Sequence, residues 1–437
     1  MNPQTNEEIR PVPVEVVGDR AEGWVGAMGL RVRVCAAAES RHLLARLLAP
    51  WAESGPEAGD GAGRRIVLPA GPEGADAAAP HACPEVDLGI LTEASAERVA
   101  SVLSTRVTLA ALEHHRGAHL LFHAGGIADE RGRVAVIVGP SGRGKTTTTR
   151  RLAQEYGYVS DETITLTGDG VVLPYRKPLS VITEGHAHKL QIAPSALGLL
   201  PLPDVKLRVA GLVLLERRDD GAAESAVTPV PLAEALVELV QQTSYLAELP
   251  RPLRRIAETA QATGGIRRLH AGAPERIAEA APALFAPGVC ERWEQVLPMG
   301  PGEGGARRAG ARGAGARDAS ASSQRTLGVE PGERGVEPGD GTGPGPAGLP
   351  FAAAPVLDAI ECESGTVVFS EDRQVRLLSG LGSVLWRGVC EGDDWEDLEA
   401  RVIAQLGTPP DGDVRSAVFE ACEALVEAEV FASRPRE

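Results

Sequence analysis

The residues Gly139-Pro140-Ser141-Gly142-Arg143-Gly144-Lys145-Thr146 constrain this chain more than any other stretch. They fit the pattern Gly, four residues, Gly-Lys-Ser/Thr of a loop that cradles phosphate. The β-branched apolar run at 133–138 precedes them and reads as a buried strand. Residues 147–155 follow and can open as a helix. Such a loop needs this context. Its glycines let backbone N–H groups turn inward on an anion, and the helix N-terminus adds partial positive charge. The pattern assigns Gly139, Pro140, Ser141, Gly142, Arg143, Gly144, Lys145, Thr146 and Thr147 to the phosphates of a nucleoside triphosphate. Lys145 would reach the outer phosphates, and the Thr146 hydroxyl would ligate Mg²⁺. The loop by itself does not say where the phosphate goes.

The next strand bears on that question. Residues 156–160 read as a short strand that ends in Asp161-Glu162, sixteen residues after Lys145. Two acids so placed can both face a γ-phosphate, one holding Mg²⁺ and the other accepting a proton from an attacking hydroxyl. The plainer reading is a solvated acidic turn. Upstream, residues 120–123 read as a strand ending at His123, and Gly125-Gly126 and residues 129–132 read as turns leading into the loop strand. A histidine at a strand end is either a structural hydrogen-bonding group or a catalytic one.

Composition sets the outer bounds. A chain of 437 residues allows two or three domains, and 43% hydrophobic content allows sizeable cores. A net charge of −16 argues against nucleic acid or an anionic membrane as partner of the whole chain. Six scattered cysteines without a Cys-x-x-Cys pair suggest reduced thiols in a cytoplasmic protein. The start of the chain is polar and acidic, unlike a signal peptide, and no apolar run is long enough to span a membrane. A homo-oligomer is left open.

Three motifs in order carry a resemblance: His123-Ala124, Gly-Pro-Ser-Gly-x-Gly-Lys-Thr at 139–146, and Val159-Ser160-Asp161-Glu162. Over about 105–285 the chain resembles HPr kinase/phosphorylase-related proteins, a group similar to the phosphoenolpyruvate carboxykinase-type P-loop proteins. The resemblance implies an α/β P-loop kinase core that uses ATP and Mg²⁺. It makes Asp161 the base, His123 an active-site histidine and Glu162 the second acid. The bifunctional enzymes have Asp-Asp where this chain has Asp-Glu, and their later signature segments have no convincing match here. These departures point to a diverged kinase.

Around this core, residues 1–115 show no chemistry and read as strands at 14–17 and 30–35, a helix at 42–51 and a helix at 94–115. They are expected to cover the kinase-like core of 116–290. Residues 168–170 read as a hairpin turn and 171–180 as one strand. On that strand Arg176 and Lys177 either clamp phosphate or acceptor, or stand as solvated charges blunting a sheet edge. Residues 232–249 and 252–263 read as helices. Residues 300–349 contain fifteen glycines and few large aliphatics, so a flexible tether is expected.

Residues 351–437 read as three strands (356–362, 366–369, 374–378) and three helices (380–389, 395–406, 413–428), a winged-helix-like α+β unit. It carries 18 acidic and 7 basic residues, a net of −11, which argues against duplex binding. The pattern Leu378-Ser379-Gly380-x-Gly382-x-x-x-Trp386 resembles PqqD-like peptide chaperones, which bind the leader peptides of ribosomally made, modified peptides. The resemblance implies a leader strand added to the sheet edge near 374–378, beside the last helix; Trp386 could equally be core.

Together these readings predict an ATP-dependent peptide Ser/Thr kinase acting on a precursor peptide recruited through its leader. The first half is similar to kinases of lasso-peptide gene clusters, which implies a lasso-type precursor. Two alternatives stay open: an ATP-binding peptide adaptor without catalysis, and an HPr-type carrier-protein kinase/phosphorylase.

Overall fold

A computed structural model describes residues 11–54, 84–183, 188–217, 224–298, 325–327, 349–410 and 412–434. Residues 54–64 and 71–82, rich in Gly, Ala, Pro and acids and read from sequence as mobile loops, lie almost wholly outside these residues, and so does most of the expected tether. The chain is mixed α/β and divides into two compact units. One holds 1–210, 217–226 and 270–285; the other holds 211–216, 227–269 and 286–437. Among the described residues, no helix is long and apolar enough to cross a membrane. Cys35, Cys290, Cys362, Cys390 and Cys422 are free thiols.

The first unit opens with Val14–Val17 (β1), Arg20–Ala27 (β2), Leu30–Ala37 (β3) and Glu85–Asp87 (β4), in that order across one sheet. Helices Arg41–Leu48 (α1) and Ala96–His115 (α2) bury Leu44, Leu48, Leu103 and Val107 in the same core as Met28 and Trp51. β2, with its two glycines and alternating small residues, was not legible from periodicity. At the end of α2, His115 Nε2 lies 2.8 Å from the Met28 carbonyl oxygen. Burial first, and neighbouring His119 second, hold its pKa down at about 4.

Leu120–Phe122 (β5), Ala124–Ala128 (β6), Arg133–Val138 (β7), Lys145–Leu152 (α3), Gly157–Ser160 (β8), Ile164–Leu166 (β9), Val172–Leu173 (β10), Leu179–Val181 (β11) and Leu190–Ile192 (β12) follow. β6 pairs antiparallel with both β7 and β8. β9 pairs antiparallel with β5 and with β10, and 168–170 make the expected turn between β9 and β10. Gly125 and Gly126 are not a turn but buried members of β6. The reason is close packing. A Cβ on Gly125 would sit 2.0 Å from Thr149 Oγ1, so only glycine lets α3 lie this near the strand. The expected single strand at 171–180 is also broken. Pro174 and Pro178 cannot donate to a ladder, and only β10 and β11 at its two ends are strand. Ala281–Leu284 (α6), after a 3₁₀ stretch over Pro274–Ala280, closes this unit.

The second unit contains most of Arg208–Arg217 (β13), Ala226–Val230 (β14) and Ile266–Ala271 (β15), with β15 central among the three. It also has helices Leu232–Gln241 (α4) and Pro252–Ala262 (α5). α4 stops eight residues short of the expected end. Trp293–Gln295 (β16), Arg325–Leu327 (β17), Phe351–Ala353 (β18), Val356–Cys362 (β19), Gly365–Ser370 (β20) and Val375–Leu378 (β21) follow. The sheet order is β16-β19-β20-β21-β17. Leu381–Glu391 (α7), Trp395–Leu406 (α8) and Val414–Glu427 (α9) match the three expected helices. Phe431–Ser433 (β22) pairs with β18. Asp394 caps α8 through the Glu396 and Asp397 N–H groups, and Asp413 caps α9 through Ser416 N–H.

The C-terminal strands pack against α4 and α5 inside this unit. Asp358 of β19, fully buried, accepts from Arg254 N–H in the first turn of α5 at 2.9 Å, from Ala359 N–H and from Gln295 Nε2. Burial raises its pKa to about 6, and these donors only partly offset it. The unfolded chain therefore loses this proton near pH 3.8, and the folded chain near pH 6. Stability from this site falls as pH rises through that window, by roughly 3 kcal/mol, and is level above it. Thermal scans of the protein against Asp358→Asn should show a stability difference that changes between pH 4 and 6. A difference flat across pH would contradict this assignment.

Candidate functional site

The pairing of β6 gathers the motif residues. Because β6 is antiparallel to both β7 and β8, the C-terminal ends of β7 and β8 lie at the same edge as the N-terminal end of β6. Ala124 pairs with Val138, and Gly126 with Ser160. His123 enters β6, Gly139 leaves β7 and Asp161 leaves β8, all at that edge. The Ala124 N–H donates to the Glu162 carbonyl oxygen at 3.1 Å and ties the acidic turn to the strand that follows His123. The turn is held by Ser160, whose Oγ accepts from the N–H groups of Glu162 and Thr163, each at 3.3 Å.

The glycine loop has the backbone its sequence requires. Gly142 (φ 80°) and Gly144 (φ 91°) are left-handed, with nothing within 4 Å of where a Cβ would stand. Conformation rather than space demands glycine there. α3 starts at Lys145. The Lys145 ammonium is buried and donates to the carbonyl oxygens of Gly139 and Pro140, its loop's own acceptors. Burial lowers its pKa. Thr146 is half-buried at the start of α3 and Thr147 is exposed.

His123 is half-buried. Burial and then Lys145 lower its pKa, while Glu162 opposes them, so its ring feels both the loop lysine and the second acid. Asp161 is buried and Glu162 partly so. Tyr158, fully buried on β8, donates its hydroxyl to Asp161 Oδ1 at 2.9 Å. Burial and Asp161 hold that phenol protonated far above the ordinary tyrosine range. The acidic turn is therefore not the solvated one that remained open from sequence.

The basic pair lies elsewhere than on a solvated sheet edge. Arg176 and Lys177 are both buried. Arg176 donates through Nη1 to the carbonyl oxygens of Tyr158 (2.7 Å) and Leu200 (3.0 Å), and through Nη2 to Glu53 (2.7 Å). With all these acceptors it is a structural tie. Lys177 Nζ lies 2.9 Å from Glu162 Oε2 and 3.4 Å from Asp161 Oδ1. Sequence reasoning gave Tyr158 no role and offered Lys177 either as a phosphate or acceptor clamp or as a solvated edge charge. The interrupting prolines at 174 and 178 were the available signal that the segment turns inward.

Among the described residues no group of three or more His, Cys, Asp or Glu side chains is placed to hold a metal ion. The donor set of Thr146 and Glu162 fits Mg²⁺ as that ion is held on phosphates, with one or two protein oxygens and the rest from phosphate and water.

In the second unit, the edge of β21 where a leader strand was expected is not bare. β17, from the middle of the expected tether, pairs with it in parallel, Arg325 opposite Arg376 and Leu327 opposite Leu378. Trp386 is core: fully buried, stacked on Phe431, with Nε1 donating to the Val296 carbonyl oxygen at 3.1 Å.

No family model matches this sequence, and no curated protein matches it.

Proposed function

We propose that this chain is an ATP-dependent kinase that phosphorylates a Ser or Thr hydroxyl of a ribosomally made precursor peptide. The observation that supports it is the convergence of His123, Lys145, Asp161 and Glu162 at one edge of β6, β7 and β8. Residues 139–147 would hold the triphosphate of ATP, with Lys145 turning from its loop carbonyls to the outer phosphates. Thr146 and Glu162 would hold Mg²⁺, which when bound neutralises charge on the phosphate oxygens. Asp161 takes the hydroxyl proton, and His123 stabilises charge beside Lys145. The proposal includes an HPr kinase-like core, a lasso-type precursor and a PqqD-like C-terminal fold. Transfer of labelled γ-phosphate from ATP to a candidate precursor tests the chemistry; transfer to water alone would contradict it.

Recruitment is proposed to occur through the β21 edge, by strand addition of the leader. The leader must then displace β17. Replacing residues 325–327 by Gly-Ser-Gly weakens strand pairing. A fluorescently labelled leader segment should bind this variant about tenfold more tightly, as a site freed of an internal occupant would. Unchanged or weaker binding in anisotropy titrations would place the leader elsewhere.

A further inference from the structure

We propose that Lys177 is a positioning residue for phosphoryl transfer, fixing Asp161 and Glu162 so that a single Asp161 oxygen is left to take the hydroxyl proton. The inference rests on the kinase reading above.

The local chain explains how the lysine reaches the acids. Pro174 and Pro178 keep the segment out of a ladder, and its neighbours stitch it along β8 instead. Tyr175 N–H donates to the Val159 carbonyl oxygen at 3.1 Å, and Arg176 Nη1 to that of Tyr158. The Tyr175 hydroxyl is pinned 2.8 Å from Thr108 Oγ1. Lys177 is the next residue, so it arrives where β8 ends, at Asp161 and Glu162.

Its ammonium has three N–H donors and no acceptor. Three acceptors surround it: Glu162 Oε2 at 2.9 Å, Pro178 O at 3.3 Å and Asp161 Oδ1 at 3.4 Å. A lysine so saturated, and only 3% exposed, has no donor to spare for phosphate. It acts as a strut. Burial works against its charge, yet the two acids more than offset that and raise its pKa above the ordinary lysine range.

The consequence for Asp161 is asymmetric. Oδ1 takes both the Tyr158 hydroxyl and the Lys177 ammonium. Oδ2 takes neither of these contacts, and the proposal assigns the hydroxyl proton to it. In the transfer step the peptide hydroxyl oxygen bonds to the γ-phosphorus. The bond from γ-phosphorus to the β,γ-bridging oxygen breaks, its electron pair leaving with ADP. The hydroxyl proton passes to Oδ2. Lys177 touches none of the reacting atoms; it holds the acceptor in line.

The test compares wild type with Lys177→Met, Lys177→Arg and Tyr158→Phe. Steady-state phosphorylation of a precursor is measured beside ATP hydrolysis with water as acceptor. Binding of a fluorescent ATP analogue without Mg²⁺ is measured separately. Misplacing one catalytic oxygen by about 1 Å costs on the order of 100-fold, so Lys177→Met should lower kcat by about that factor in either reaction. Affinity for the Mg²⁺-free analogue should stay within about threefold, since no phosphate contact is lost. Lys177→Arg should recover at least about tenfold of kcat, keeping the cation and more than one donor. Tyr158→Phe, nearly isosteric, reads the same Oδ1 if Lys177→Met fails to fold, and should lower kcat by about tenfold. A kcat loss under threefold in both, or affinity falling in step with kcat, would overturn the proposal. A wild-type protein that transfers no phosphate to peptide would instead sink the kinase reading, and this inference with it.

Discussion

Asp161→Asn is expected to lower phosphoryl transfer by about 1,000-fold while leaving ATP binding within about twofold, the range seen when a general base is removed without disturbing its site. Asparagine keeps the shape of aspartate and still accepts from the Tyr158 hydroxyl, which lies 2.9 Å from Oδ1. It cannot take a proton from an attacking hydroxyl. No contact to the glycine loop is lost, because Asp161 sits at the end of β8 and Lys145 makes its own bonds to Gly139 and Pro140. Calorimetric binding of ATP and single-turnover phosphorylation separate the two effects. Equal loss of both would make Asp161 a structural anchor of the nucleotide site. Loss of neither would return the acidic turn to an ordinary one.

Trp386→Ala should destabilise the second unit by about 3–5 kcal/mol, the cost of emptying a large aromatic site in a packed core. The ring is fully buried and stacks on Phe431 with centroids 6.2 Å apart. Its Nε1 satisfies the Val296 carbonyl oxygen, next to β16. Trp386→Phe separates the contributions: it keeps most of the apolar volume, loses that hydrogen bond and should cost about 1–3 kcal/mol. Denaturant unfolding followed by tryptophan fluorescence measures both. The same variants test the alternative role, because a ring reserved for leader contact would be dispensable for folding. A loss under 1 kcal/mol on removing the whole ring would contradict its place in the core.

Much of the architecture was legible because local signals agreed. The run at 133–138 is apolar and β-branched, and the loop after it needs glycine at φ values near +80°, so β7 and the loop follow from composition alone. The C-terminal strands and helices were legible from their periodicity, and in the structure Asp394 and Asp413 cap two of the helices. What failed was decided by packing at a distance. Gly125 and Gly126 look like a turn, but they are a strand because α3 presses on Gly125 through Thr149. Arg176 and Lys177 look like surface charges, but Glu53, far away in sequence, and Asp161 and Glu162 pull them inside. β17 has no strand pattern of its own; it pairs because β21 offers an edge. At the candidate site, His123, Lys145, Asp161 and Glu162 were legible as motif positions. Their common edge depended on the register of β6, and Tyr158 carries no motif at all.

The most direct measurement is the intact mass of a candidate precursor peptide after incubation with the protein, ATP and Mg²⁺. The account predicts a gain of one phosphate, about 80 Da, on a Ser or Thr of the core region. The gain should vanish with Asp161→Asn and survive replacement of residues 325–327. ATP bound without any mass change on any precursor would contradict the kinase reading and favour a nucleotide-binding peptide adaptor.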